Sequence, residues 1–305
     1  MISFRYHLVS LIAVFLAIAL GVVIGTSALN GAVVGDLRRQ VSDLKKTNAA
    51  SQAHVNALQA QAGSADQLAQ SFGTKILAGA LSKKSVVLVG APGASTSLRQ
   101  AVASQITAAG GTVAGQVQLS AQFDDPRRAS DIQSLATTGA HPIGLQLPTT
   151  DSPGLLAGAL LGFVLLGHGQ GTDLTQVLAG FNTLDMLKVD GSNMAAGNAV
   201  VLVTSGGLAK NDEGGAMLQA FATELGTVGG PTVVAGDAAS ANAGGLVSLV
   251  RADDSARKAV STVDDLGGQL GQLTVPLAVA DTIAGHKGQY GTAAGAEALL
   301  PGTSS

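Results

Sequence analysis

Hydrophobic residues fall along this chain in three regimes: one unbroken apolar block, then a sparse heptad, then short runs separated by glycines. The block comes first. Residues 8–29 carry no formal charge, and as a helix they would span about 33 Å, enough to cross a hydrocarbon core. The run Leu11-Ile-Ala-Val-Phe-Leu-Ala-Ile-Ala-Leu20 is apolar on every face, unlike an amphipathic surface helix. Two readings stand. A cleavable signal would be cut near the small residues Thr26-Ser27-Ala28, whereas the length of the apolar run outlasts a signal core and favours a retained anchor. Gly21 and Gly25 form a GxxxG, a spacing that lets two membrane helices approach closely but also occurs as loosely packed glycines.

Beyond the block, Leu37, Val41, Leu44, Asn48, Ser51, Val55, Leu58, Ala62 and Ala65 recur at alternating spacings of four and three. This is a heptad seam, with charge and Gln on the other faces, and it predicts a coiled-coil stalk. Asn48 stands at an a-type position, where a buried polar side chain fixes register and strand number. Such a helix either pairs with other copies or packs on the protein's own body. A membrane tether raises the local concentration of parallel copies, so a homo-oligomer joined through residues 33–65 is expected.

The third regime alternates strands with helices. Ser85-Val-Val-Leu-Val89 reads as a buried strand with a turn at Gly90-Ala-Pro-Gly93. A helical pattern over 97–109 stops at Gly110-Gly111, and 112–119 is extended. The order returns with Ala199-Val-Val-Leu-Val203, a turn at Gly206-Gly207, a helix over 215–225, Gly229-Gly230 and Thr232-Val-Val-Ala235. The match of Val86-Val-Leu-Val89 to Val200-Val-Leu-Val203 suggests two related βαβ units and a largely parallel sheet. Between them, 155–166 is apolar but too short to span a membrane and reads as a buried helix. Residues 173–187 read as another helix ended by Lys188, and 246–250 and 273–279 as further strands, the last carrying Pro276 at an edge or bulge.

The fold class expected is therefore α/β: an N-terminal transmembrane helix, a long coiled-coil-like helix, then a largely parallel α/β body with two related βαβ units. The boundaries are 1–31 for the anchor or signal, 32–70 for the stalk, 71–300 for the body and 301–305 for a frayed tail.

Charge and composition narrow the function. With 17 basic and 20 acidic residues the formal net charge is −3, which supplies no basic field for nucleic acid. The 46% apolar and 12% charged fractions indicate a packed core rather than disorder. The absence of cysteine excludes disulfides, thiolate metal sites and cysteine nucleophiles. Flanking charge leaves orientation in tension: Arg5 precedes the apolar block, while Arg38, Arg39, Lys45 and Lys46 follow it, partly countered by Asp36 and Asp43. A bare count of cations would put the body inside the cell, but the very short N-terminal tail argues for a body outside the cytoplasm.

No catalytic constellation emerges. Gly90-Ala-Pro-Gly93-Ala-Ser lacks a P-loop lysine and GxGxxG spacing, Gly167-His-Gly-Gln-Gly171 reads as a helix stop, and no GxSxG elbow exists. No enzymatic activity is expected. The histidines His7, His54, His141, His168 and His286 form no HxxxH or HExxH pair, and the four methionines form no Met-rich motif. Asp281, His286 and Tyr290 are the one sequence-local cluster suited to an imidazole-favouring metal, against the plainer reading of a Gly-rich turn with satisfied side chains.

Three stretches together resemble the MctB-like copper transport protein family of mycobacteria and their relatives. They are the opening Met1-Ile-Ser-Phe-Arg-Tyr-His-Leu-Val-Ser-Leu-Ile-Ala-Val-Phe-Leu-Ala with Gly21-Val-Val-Ile-Gly25, then Ser261-Thr-Val-Asp-Asp265, and His286-Lys-Gly-Gln-Tyr-Gly291. The resemblance covers nearly the whole chain. It implies a cell-envelope protein of copper efflux or resistance, a family described as pore-forming in the outer membrane. No resident cofactor is implied; copper enters as a transported or weakly bound ion. Beside the terminal Tyr-Gly the chain has Gln289 and Thr292-Ala-Ala-Gly-Ala rather than further histidines, which argues against a histidine cluster there. Two readings of another class remain: a non-enzymatic coiled-coil scaffold anchored in the inner membrane, and a ligand sensor using the loops at the strand ends.

Overall fold

Helix α1 (Phe4–Leu77) is a single helix of 74 residues in a computed structural model that describes residues 4–139, 141–191, 193–207 and 213–302. Residues 1–3 of the opening signature and 303–305 of the expected tail lie outside the described residues. The chain divides into two units, Met1–Ser64 and Ala65–Ser305.

In the first unit, Tyr6–Gly25 is long and apolar enough to cross a membrane, and none of its most apolar stretch is buried. Farther along α1, Leu37, Val41, Leu44, Val55 and Leu58 are all exposed. Local pairs support this part of the helix, such as Arg39 donating to Asp36 at 2.7 Å and Gln52 Nε2 to Asn56 Oδ1 at 3.2 Å.

The second unit is built on a mixed, mostly parallel sheet. Its strands are β1 (Ser85–Gly90), β2 (Thr112–Leu119), β3 (Leu187–Asp190), β4 (Ala199–Thr204), β5 (Thr232–Gly236), β6 (Ser261–Val263) and β7 (Gln289–Tyr290). They lie in the order β3-β2-β1-β4-β5-β6-β7, parallel throughout except for β2 against β3. Helices cover both faces, so the central strands are continuous apolar runs. Alternate residues serve opposite layers: Val86 and Leu88 of β1 join Leu77, the last residue of α1, and Leu81 in the turn after it, with Val102 and Ile106 of α2 (Thr96–Ala108) and Val275 and Val279 of α9 (Gln269–Ile283). Val87 and Val89 face the layer of α3 (Ala129–Thr138), α4 (Pro153–Leu165), α5 (Asp173–Thr183), α6 (Glu213–Glu224), α7 (Leu246–Ala252) and α8 (Asp254–Ala259).

Helix α4 accounts for the short apolar segment near residue 160. Ser152 Oγ accepts from Leu155 N–H at 3.4 Å and Pro153 occupies the first turn, a favourable helix start. Gly154, Gly158 and Gly162 lie on one stripe against α6 and the π-helical turn Leu225–Gly229. A Cβ on Gly158 would stand 2.6 Å from Glu224 Cβ and 2.8 Å from the Phe221 carbonyl. Backbone-to-backbone approach thus buries this helix inside the body.

Three segments differ from the sequence expectation. Residues 246–250 are helical, in α7, and 273–279 lie within α9, with Pro276 inside the helix rather than at a strand edge. Both are short, mostly apolar and mostly buried runs, so period cannot separate strand from helix there. The helix expected over 173–187 stops at Thr183; Asp185 takes φ 55° and the chain turns into β3, the antiparallel edge strand.

Candidate functional site

The two C-terminal signatures meet in space. Ser261–Val263 is β6 and pairs in parallel with β7, Thr262 opposite Gln289 and Val263 opposite Tyr290. Under this sheet edge lies a buried ion pair: Arg251 Nη1 donates to Asp264 Oδ2 at 2.8 Å, with side chains 3% and 1% exposed. The guanidinium also donates from Nε to Thr262 Oγ1 at 2.8 Å and from Nη2 to the Tyr290 carbonyl at 2.7 Å. Asp264 accepts in addition from the backbone N–H groups of Thr292 and Ala293 at 2.8 and 3.0 Å. Thr262 Oγ1 donates in turn to Gln289 Oε1 at 2.7 Å. Each buried polar atom is thereby matched, as burial of charge requires.

The glycines of His286-Lys-Gly-Gln-Tyr-Gly291 follow from this packing. A Cβ on Gly288 would collide with the Tyr290 hydroxyl. One on Gly291, whose φ is 132°, would collide with the Asp264 carboxylate.

Asp281, His286 and Tyr290 are brought together at the C-terminal end of α9. Tyr290 Oη donates to Asp281 Oδ2 at 2.6 Å, and His286 Nδ1 lies 3.1 Å from Asp281 Oδ1. The imidazole is 60% exposed and the carboxylate 18%. Burial foremost, then the hydrogen bond to Asp281 and the charges of Asp281 and Glu297, push the Tyr290 hydroxyl well above the usual phenol range. Tyr290 is therefore a neutral donor to Asp281. A tautomer with the proton on Nδ1 would donate to Asp281 and leave Nε2 turned to other partners, the geometry by which a carboxylate can orient an imidazole. Among the described residues no group of three or more His, Cys, Asp or Glu is placed to hold a metal ion.

Of the other histidines, His168 Nε2 lies 2.8 Å from the Gly229 carbonyl, His141 Nδ1 lies 3.1 Å from the Pro142 carbonyl and His54 is on the exposed helix. At the carboxyl ends of β1 and β4, where doubly wound sheets bind ligands, Ser205 Oγ accepts from Ser95 N–H at 3.0 Å and donates to the Gly93 carbonyl at 3.2 Å.

Sequence reasoning gave no role to Arg251 or Asp66, and met Asp264 and Gln289 only as members of the two C-terminal signatures. Asp66, in α1, caps α9: its Oδ1 accepts from Gln269 and Leu270 N–H at 2.8 and 3.3 Å, because Gly268 at the N-cap has no side chain to do so. The available signal was the adjacent pair Asp264-Asp265 that ends the signature Ser261-Thr-Val-Asp-Asp265.

A helix able to cross a membrane, continued by an exposed helical segment and joined to a mostly parallel α/β body, is the architecture to be placed. The profile of the family described as "Copper transport outer membrane protein, MctB" matches residues 1–301. A Mycobacterium tuberculosis (strain ATCC 25618 / H37Rv) protein described as "Copper transporter MctB" is 36% identical over 308 aligned positions, covering 97% of this chain and 98% of that protein. A Mycobacterium leprae (strain TN) protein of the same description is 32% identical over 315 positions, covering 98% and 99%. The chain belongs to the MctB family.

Proposed function

We propose that this chain is a membrane-tethered cell-envelope protein of copper efflux or resistance, without enzymatic activity and with its body outside the cytoplasm. The observation that carries the reading is the family match along residues 1–301, which includes both C-terminal signatures. Residues 8–29 are the retained anchor, and residues 33–65 join copies into a homo-oligomer in the membrane. The β1–α2–β2 and β4–α6–β5 segments are two related βαβ units, and the chain binds no nucleic acid. Copper is cargo or a weakly held ion, and its contact on this chain is His286, oriented by Asp281, with Tyr290 holding the carboxylate. One imidazole is an incomplete site, so binding is weak.

Deletion in the native host tests the reading. The deleted strain should become more copper-sensitive and recover with the wild-type chain; unchanged sensitivity overturns the proposal. Calorimetric copper titration should show weak binding that His286→Ala reduces, and tight binding untouched by that change would place the contact elsewhere.

A second reading, an inner-membrane coiled-coil scaffold, is favoured by the exposed apolar positions Leu37, Val41, Leu44, Val55 and Leu58. Conductance of the purified chain in planar bilayers belongs to the first reading and its absence, with normal copper tolerance on deletion, to the second.

A further inference from the structure

We infer that residues 34–64 of α1 form a parallel, in-register, two-stranded coiled coil with a second copy of this chain. This rests on the reading of the stalk as self-associating and adds the number, direction and alignment of the strands.

Six large apolar side chains stand on this stretch with no cover from the chain itself: Val34, Leu37, Val41, Leu44, Val55 and Leu58 are 43–72% exposed. Their order is not random. The a positions are Val34, Val41, Asn48, Val55 and Ala62, and the d positions are Leu37, Leu44, Ser51 and Leu58. β-Branched residues at a with Leu at d are the combination that favours two strands over three or four. A polar Asn at a single a position sharpens that choice, because two copies at the same level can bond to each other across the seam.

The flanking positions raise no barrier. The formal charges of this stretch, Asp36, Arg38, Arg39, Asp43, Lys45 and Lys46, occupy c, e and f positions. The g positions Gln40, Thr47, His54 and Gln61 carry no formal charge, so Lys45 at e faces an uncharged g residue in a parallel pair.

An antiparallel pair would also match side chains well, placing Asn48 beside Ser51 and Leu44 beside Val55. The tether decides between them. Stalk and apolar segment Tyr6–Gly25 belong to one continuous helix. Two copies inserted in one membrane must run the same way; reversing one in that register would hold its apolar segment about 70 Å out in water.

The chain has no cysteine, so single replacements report cleanly by disulfide crosslinking of the full chain in phospholipid vesicles. Val41→Cys, Leu44→Cys and Asn48→Cys should each join two chains on mild oxidation, at least tenfold faster than Arg39→Cys at an f position. Native mass spectrometry of the unmodified full chain in detergent should count two copies, and Asn48→Val should broaden that count to higher species. Three or more copies with the same crosslinks would overturn the two-stranded assignment while leaving self-association intact. Crosslinks confined to a mixture of Val41→Cys and Leu58→Cys chains would overturn the parallel direction. Equal rates at positions 39 and 41 would remove the seam, and a monomer that crosslinks nowhere would remove the stalk reading with it.

Discussion

Asp264→Ala is expected to destabilise the α/β body more than any other single change at the C-terminal sheet edge. The substitution leaves Arg251 buried, with Thr262 Oγ1 and the Tyr290 carbonyl as acceptors but with no counter-charge. Breaking one side of a buried pair costs about 3–5 kcal/mol, since the remaining charge keeps its desolvation penalty. The same change strips two backbone N–H groups, of Thr292 and Ala293, of their acceptor. For a body of this size each kcal/mol is worth roughly 2–4 °C, so the midpoint should fall by about 10 °C or more. Thermal unfolding of residues 65–305 followed by circular dichroism reads this directly. Asp264→Asn should fall between wild type and Asp264→Ala, because the amide still accepts but cannot neutralise Arg251. Replacing both partners, Arg251→Met with Asp264→Leu, should recover much of the loss. A cost below about 1 kcal/mol for Asp264→Ala, or a double variant no better than the sum of the singles, would refute the assignment of this pair as the clamp on β6 and β7.

Three further outcomes are expected. Gly158→Ala should cost about 1–3 kcal/mol by overpacking α4 against α6, read as a lowered urea midpoint; an unchanged midpoint contradicts the close approach. Asp66→Ala should cost about 1 kcal/mol and speed amide exchange at Gln269 and Leu270, the two groups its carboxylate holds, and unaltered exchange there would deny the cap. Burial first, then the charges of Asp264 and Asp66, hold the Asp265 carboxyl above its ordinary value. The folded state thus keeps that proton longer than the unfolded chain, and stability falls as pH climbs from the ordinary aspartate range to the raised value. Asp265→Asn, whose side chain tolerates the φ of 63° there, should remove this decline and raise stability at neutral pH. A variant whose pH profile still falls as in the wild type would contradict it.

Much of the fold is legible in local pattern. Residues 8–29 announce a membrane-length apolar helix by an uncharged run alone, 85–89, 199–203 and 232–235 announce buried strands by β-branched runs with glycine close behind, and 112–119 reads as extended. These features need no knowledge of distant residues. The misreadings share one cause. Around 246–250 and 273–279 the chain is mostly buried, and each run is too short and too nearly uniformly apolar for a period of two to be told from one of 3.6. Helix α9 is made by what surrounds it: Asp66 caps it from more than two hundred residues away, and buried contacts hold Pro276 inside it.

The same division runs through the candidate site. Asp281, His286 and Tyr290 are close in sequence, so chemistry could nominate them from the string of residues. Arg251, Thr262, Asp264 and Gln289 could not be nominated that way, because an arginine in α7 and an aspartate after β6 acquire meaning only when the sheet edge closes over both. By itself, then, the sequence determined the membrane-length helix, the heptad seam and the family, properties carried by residue order and local period. The tertiary structure alone decided which polar groups are buried together, because burial and hydrogen-bond partnership belong to pairs of residues that the fold, not the chain, makes neighbours.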